Sequence, residues 1–200
     1  SYDIFVAKLD TNGSWQWAVR AGGSSDDQGH GVAIDNNGQV YITGYYYNTG
    51  YFGSYTLSSY SYQEAYIAAL APGGQFLWAQ RMYGSYYQRG RGIDVNDIGE
   101  VAVTGEFSYR INIGGSDLSP GYQSSSYYRV FTAKFTTSGN YLWAQWAGYE
   151  TSRSAHGEDI AIDNNGEVFL TGRFNDRMRF GGTWIYAYQQ SNNWDCFVAK

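Results

Sequence analysis

Apolar and polar positions alternate along short stretches of this chain, and the alternation breaks each time at the same kind of turn. Gly31-Val32-Ala33-Ile34 leads into Asp35-Asn36-Asn37-Gly38, and Gln39-Val40-Tyr41-Ile42 then runs into Thr43-Gly44. Alternating β-branched and aromatic residues on both sides of an Asx/Gly turn predict a β-hairpin. Asp and Asn bond their own backbone there, and Gly supplies positive φ. The same hairpin is predicted over residues 92–105, turning at Asp97-Ile98-Gly99, and over 159–172, turning at Asn164-Asn165-Gly166. All three copies end on Thr-Gly.

A second hairpin partners the first. Ile4-Phe5-Val6-Ala7-Lys8-Leu9 turns at Asn12-Gly13 and returns as Trp15-Gln16-Trp17-Ala18. Its copies run from Tyr66 through Pro72-Gly73-Gly74 to Trp78, and from Phe131 through Ser138-Gly139 to Trp143, with a fourth beginning at Asp195-Cys196-Phe197. By subtraction of residue numbers, Phe5, Tyr66, Phe131 and Phe197 are 61, 65 and 66 apart, while Trp17, Trp78 and Trp143 are 61 and 65 apart. Gly44, Gly105 and Gly172 are 61 and 67 apart. Three markers advancing together define a repeat.

Four antiparallel strands per period predict an all-β chain of β-propeller blades. Residues 1–30 carry the third and fourth strands of a preceding blade, 31–90 blade 1, 91–156 blade 2, and 157–200 blade 3 without its last strand. The period exceeds the ~40–50 residues of common propeller repeats, and the surplus lies between the second and third strands. Each surplus loop holds a Phe/Ile-Gly pair, Phe52-Gly53, Ile113-Gly114 or Phe180-Gly181, which predicts ordered excursions. Roughly three blades fall short of the ~4–8 of closed propellers. The expectation is therefore a part of a larger array, or a subunit whose open edges pair with neighbours into a ring or filament.

Composition narrows the function classes. A net charge of −5 without a Lys/Arg cluster argues against nucleic acid, and no apolar run is long enough to insert in a membrane. The lone Cys196 allows no internal disulfide, and its flanking strand residues predict a small buried side chain. The chain opens at Ser1, which reads as a processed product or an excerpt.

Chemistry-bearing residues are sparse. Asp10, Asp35 and Asp163 open turns that hairpin chemistry explains, and none fits the spacing of a calcium loop. His30 and His156, near the starts of first strands, lack regular ligand partners, so no metal or cofactor is expected. Asp26, Asp27, Glu64 and Asp159 are the carboxylates that could pair for glycosidase chemistry if the fold brings them together. Phe5, Tyr66, Phe131 and Phe197, with Trp17, Trp78 and Trp143, read as repeated core positions. The long loops are rich in tyrosine: Tyr45, Tyr46, Tyr47, Tyr51, Tyr55, Tyr60 and Tyr62 in the first, Tyr109, Tyr122, Tyr127 and Tyr128 in the second, and Trp184, Tyr186 and Tyr188 in the third. Such residues serve either as an interaction surface or as padding of the outer layer.

The run Asp35-Asn36-Asn37-Gly38-Gln39-Val40-Tyr41-Ile42-Thr43-Gly44, the later Phe52-Gly53, Asp3-Ile4-Phe5-Val6-Ala7-Lys8-Leu9-Asp10 with Asn12-Gly13, and Trp17-Ala18 resemble the bacterial SBBP β-propeller repeat family. The resemblance covers essentially the whole chain. It departs at Asp94 and Asn96 in the second copy and at Asp159 in the third. It implies a secreted or cell-surface protein and says almost nothing about activity. The resulting expectation is a non-enzymatic structural or adhesive module that self-associates or binds other surface proteins through its Tyr-rich loops. A lectin-like glycan binder is the alternative, and an enzyme with a carboxylate pair the third reading.

Overall fold

A computed structural model describes residues 1–59, 62–121, 126–149, 153–188 and 193–200. Every regular element among them is a strand. β1 (Ile4–Leu9) and β2 (Trp15–Ala21) form a hairpin. The next unit holds β3 (Gln28–Ile34), β4 (Val40–Tyr46), the short strands β5 (Thr49–Phe52) and β6 (Tyr55–Ser58), β7 (Glu64–Leu70) and β8 (Phe76–Ser85). The unit after it holds β9 (Gln88–Val95), β10 (Glu100–Ser108), β11 (Arg110–Ile113), β12 (Ser116–Leu118), β13 (Tyr128–Thr136) and β14 (Tyr141–Ala147). The last holds β15 (Ala155–Ile162), β16 (Val168–Asn175), β17 (Arg177–Phe180), β18 (Thr183–Tyr186) and β19 (Trp194–Ala199).

The main strands pair antiparallel in the order β3-β4-β7-β8, then β9-β10-β13-β14, then β15-β16-β19. These are propeller blades, and β1–β2 correspond to the third and fourth strands of a blade. The first strand of each unit begins at Gln28, Gln88 or Ala155, a little ahead of the boundaries expected from the sequence. A β-bulge near its start lets each first strand continue pairing past Thr-Gly. The extra residue of the bulge is His30, Arg91 or Glu158.

The Thr-Gly step sets the spacing. Thr43, Thr104 and Thr171 each donate Oγ1–H to the carbonyl of the aromatic residue on the third strand, Tyr66, Phe131 and Phe197, at 2.7, 2.8 and 2.9 Å. On Gly44, Gly105 or Gly172 a Cβ would overlap the carbonyl oxygen of Gln28, Arg89 or His156 on the bulged strand. The next blade approaches from the other side. A Cβ on Gly90 would overlap Thr43 Oγ1, and one on Gly157 would overlap Thr104 Oγ1.

The core lies between sheets. Tyr66 and Phe52 of the first full blade pack with Ile4, Val6 and Ala21 of the β1–β2 sheet. Phe131 and Phe107 of the second join Ile67, Ala69 and Met82 of the first. Phe197 and Phe174 of the third pack with Val130 and Ala147 of the second. Each buried ring stabilises by roughly 2 kcal/mol. The tryptophans bridge the same junctions: Trp17 Nε1 donates to Pro72 O at 2.9 Å and Trp78 Nε1 to Thr137 O at 3.0 Å, each across to the next blade's outer turn. Trp143 is half-buried and lines a cleft with Trp146, Leu170 and Phe180.

Two expectations change with neighbouring sheets. Phe5, expected in the core, is 77 % exposed, because its ring points to the side of β1 on which no described sheet packs. Cys196, expected buried like its counterparts Ile4, Ala65 and Val130, is exposed for the corresponding reason on the opposite face of the third blade.

The close approach at Thr-Gly yields a stability prediction. Gly105→Ala should cost about 3 kcal/mol, while Gly182→Ala, where a Cβ meets nothing within 4 Å, should be near neutral. Urea unfolding of both variants checks this, and equal midpoints would contradict the steric account.

Candidate functional site

The excursions between second and third strands are short hairpins that reach back to the preceding blade. β11 pairs with β8 through Arg110–Ser85, Ile111–Gly84 and Asn112–Tyr83. Tyr51 of β5 exchanges two backbone bonds with Gly22, at 3.0 and 3.1 Å, and Arg179 of β17 exchanges two with Gly148, at 2.9 and 3.0 Å. Every hairpin therefore clasps the outer strand of the sheet before it. The residue that leads into it, Asn48, Tyr109 or Asp176, has positive φ in all three repeats.

Alternation then gives each hairpin two faces. The inner face is mainly apolar in all three: Phe52 and Leu57, then Ile111, Ile113 and Leu118, then Met178, Phe180 and Ile185, with Ser116 and Thr183 beside the turns of the second and third. The opposite face differs. It carries Thr49, Tyr51, Thr56 and Ser58 in the first hairpin. The second bears an Arg110–Asp117 ion pair at 2.7 Å, with Asn112 bonded to Asp117. The third bears Arg177, Arg179, Trp184 and Tyr186. There Arg177 lies 4.5 Å over the Tyr149 ring and Arg179 5.6 Å over Trp184, worth about 1 kcal/mol each.

A second cluster surrounds the bulges. Glu106 is fully buried, and Arg91 grips both its oxygens at 3.1 and 2.8 Å while His156 of the next blade meets Oε2 at 3.1 Å. Burial opposes ionisation here, yet the His156 and Arg91 bonds outweigh it and hold the carboxyl down at about 2. The third blade reverses the charges, pairing Glu158 with Arg173 at 3.0 Å. The first uses rings, His30 against Tyr45 at 5.5 Å. Each of these residues lies 14 positions before the Thr-Gly glycine of its repeat, so their equivalence is readable from the sequence; the bulge that aims them at Tyr45, Glu106 and Arg173 is not.

The tyrosines expected to form one contact face are divided. Tyr46 is fully buried, packs against Phe52 and donates its hydroxyl to Glu64 Oε2 at 2.8 Å. Tyr45 is buried too, on the opposite face of β4, where its ring meets His30 and Arg89. Tyr47, Tyr127 and Tyr128 are half-buried, Tyr128 lying 5.1 Å from His156. Tyr51, Tyr62, Trp184, Tyr186 and Tyr188 are exposed, whereas Tyr60 and Tyr122 lie outside the described residues. The candidate carboxylates are bound separately. Asp27 is buried and accepts from Gly23 N and Tyr47 N at 2.6 and 2.9 Å, Asp26 accepts from Tyr2 N at 3.0 Å, and Asp159 accepts from Ile160 N at 2.9 Å. Burial raises the carboxyls of both Asp27 and Glu64. In the acidic turns, Asp35 and Asp163 each accept two backbone N–H groups of their own loop.

Blades of this pattern define a β-propeller repeat protein. A family model described as SBBP, a β-propeller repeat, matches residues 16–45, from β2 through β3 and most of β4. Over 202 aligned residues the chain is 28 % identical to an uncharacterized WD repeat-containing protein, L264, of Acanthamoeba polyphaga mimivirus. The match covers 86 % of this chain and 14 % of that relative's length.

The Glu106 cluster predicts an acid limb. Its carboxyl is depressed in the folded chain, so the stabilisation is complete above the unfolded value near 4.5 and disappears as pH falls toward about 2. Glu106→Gln should lose about 3 kcal/mol at neutral pH and flatten the fall in stability across that window. Denaturation midpoints measured through that range would refute the assignment if both proteins lost stability in parallel.

Proposed function

We propose that this chain is a non-catalytic interaction module of a β-propeller, binding protein partners or further copies of itself through surfaces the repeat leaves variable. The observation that carries this reading is the clasp hairpin, with one apolar inner face in all three repeats and a different outer face in each. The β-propeller repeat match and the WD repeat-containing relative support it at the level of class. An extracellular or surface setting, which the repeat resemblance implies, belongs to the same proposal.

Self-association has a surface of its own. Val32 is 66 % exposed beside the exposed Phe5 and Ile34, whereas its counterparts Ile93 and Ile160 are each 6 % exposed beneath the preceding blade. That face is a blade-mating face. Sedimentation velocity over a range of concentrations should show association that Phe5→Ser with Val32→Ser abolishes. A single monomeric species at every concentration would sink the self-associating form.

Glycan binding is favoured by one observation. Trp184 and Tyr186 lie within 27° of parallel, 6.4 Å apart, an exposed aromatic pair on the outer face of the third hairpin. A glycan array should then give signals that Trp184→Ala removes, and a blank array disposes of this reading.

A further inference from the structure

Gly29 is a glycine without a cause in its own chain. Its counterparts Gly90 and Gly157 must lack a Cβ because Thr43 or Thr104 of the preceding blade fills that space. A Cβ on Gly29 would come no nearer than 3.3 Å to anything, at Ile4 Cγ2, with Tyr66 Oη next at 3.4 Å. The Tyr66 hydroxyl is fully buried and has no hydrogen-bond partner among the described residues. Both groups line a cleft of about 450 Å³ with Phe5, Gln28 and Val32, along the edge of β1 that does not pair with β2. In the complete blades that edge of the third strand pairs with the Thr-Gly strand, through Gly44–Tyr66 and Gly105–Phe131. This cleft lacks its threonine.

The third blade carries the complement. Thr171 of β16 is exposed, and its Oγ1, which donates to Phe197 O, keeps lone pairs free to accept. The junctions within the chain show what its neighbours should meet. The residue after Thr-Gly faces the residue two before the bulge of the next blade, Tyr45 under Arg89 at 5.6 Å and Glu106 with His156 at 3.1 Å. Arg173, a donor, and Gln28, with an amide acceptor, hold those two positions at the open ends. The residue two before the threonine, Tyr41 or Ala102, clusters with Ile93 or Ile160 of the next blade. Its open counterparts are Phe169 and Val32, both exposed.

β16 already holds β19 on the edge that β1 would need. The two strands are interchangeable, because Asp3-Ile4-Phe5-Val6-Ala7-Lys8 differs from Asp195-Cys196-Phe197-Val198-Ala199-Lys200 at one position. They differ in company. β1 brings β2 as a fourth strand, and among the described residues β19 brings none. Beside the outer edge of β19 lies a second cleft, of about 350 Å³, walled by Trp143, Trp146, Leu170 and Phe180. Trp17 and Trp78 donate to Pro72 O and Thr137 O of the following outer turn, and the residue in register with those two is Thr11, in the β1–β2 turn.

We propose that the β1–β2 hairpin of a second copy displaces β19 and completes the third blade, so that two copies close one propeller by reciprocal strand exchange. Thr171 then settles against Gly29 of the second copy and accepts from its Tyr66 hydroxyl. Trp143 donates to the incoming Thr11 carbonyl, and the incoming Phe5 takes the buried place of Phe197. Each copy supplies two full blades and one composite blade, so two copies make a ring of six, within the ~4–8 of closed propellers, whereas one copy falls short and three overshoot. The inference rests on the self-associating form of the interaction-module reading and names the element exchanged.

Sedimentation velocity on the whole chain over a range of concentrations should reach a dimer and stop there. Gly29→Ala should fold as the parent does and weaken the dimer by about tenfold or more, since its Cβ meets the incoming threonine. Phe197→Ala loosens β19 and should strengthen the dimer, the reverse of what a simple contact residue would do. In a Cys196→Ser background, Ala7→Cys with Leu170→Cys should oxidise to a covalent dimer on a non-reducing gel, because exchange puts Ala7 in the register that Ala199 holds opposite Leu170. Absence of that cross-link overturns the exchange. So does association that ignores Gly29→Ala, weakens with Phe197→Ala or grows beyond a dimer. If such association still depends on Phe5 and Val32, self-association stands without the exchange. A single monomeric species at every concentration overturns both.

Discussion

The close approach at Thr-Gly is the constraint on which the rest of the structure depends. The glycine must lack a side chain because the bulged first strand brings a carbonyl into the space a Cβ would fill. The threonine must carry a hydroxyl, since it ties the second strand to the carbonyl of the third-strand aromatic. That tie fixes the aromatic ring against the preceding sheet, where the apolar burial occurs. Steric exclusion, one side-chain hydrogen bond and inter-sheet burial thus act in series. Gly90 and Gly157 extend the series to the next blade by settling against the threonine of the one before.

Much of this was legible before any coordinates. Thr-Gly, the third-strand aromatic and the fourth-strand tryptophan advance together, and a period that long with four alternating stretches leaves few architectures besides blades. The partners of the long excursions were not legible. A hairpin can pair with its own repeat or with its neighbour, and only the fold reveals that β11 pairs with β8. Tyr45-Tyr46-Tyr47 was equally opaque. Three tyrosines in a row have no period, so the burial of Tyr45 and Tyr46, on opposite faces of β4, follows from how far that strand extends, which the run does not encode. Phe5 shows a third kind of limit. Its local pattern matches that of buried Tyr66, but burial is a property of the sheet next door.

The bulge cluster shows how one backbone geometry accepts unlike chemistry. A bulge re-aims one side chain toward the end of the second strand, and that position is filled by His30 against Tyr45, Arg91 with Glu106, or Glu158 with Arg173. The two histidines, which look alike in sequence, hold different places. His30 is the bulged residue of its blade, whereas His156 precedes the bulge and reaches across to Glu106 of the neighbouring blade. Around Glu106 both acid oxygens are bonded in a buried setting, whereas the Glu158–Arg173 pair of the third blade stands exposed.

Three repeats on one scaffold act as internal controls. A residue type present in all three answers to the backbone: Thr-Gly, the apolar inner face of the clasp, the ring on the third strand. A residue that defies the backbone in one repeat alone needs another cause. The position leading into the clasp makes the same conformational demand three times, and two repeats meet it with Asn48 and Asp176. Tyr109 meets it poorly, and so does Tyr86 in the turn opposite. Random drift would scatter such misfits over the chain. Finding the two bulky ones in ring contact, on the wall of one cleft, sets this junction apart from the other two.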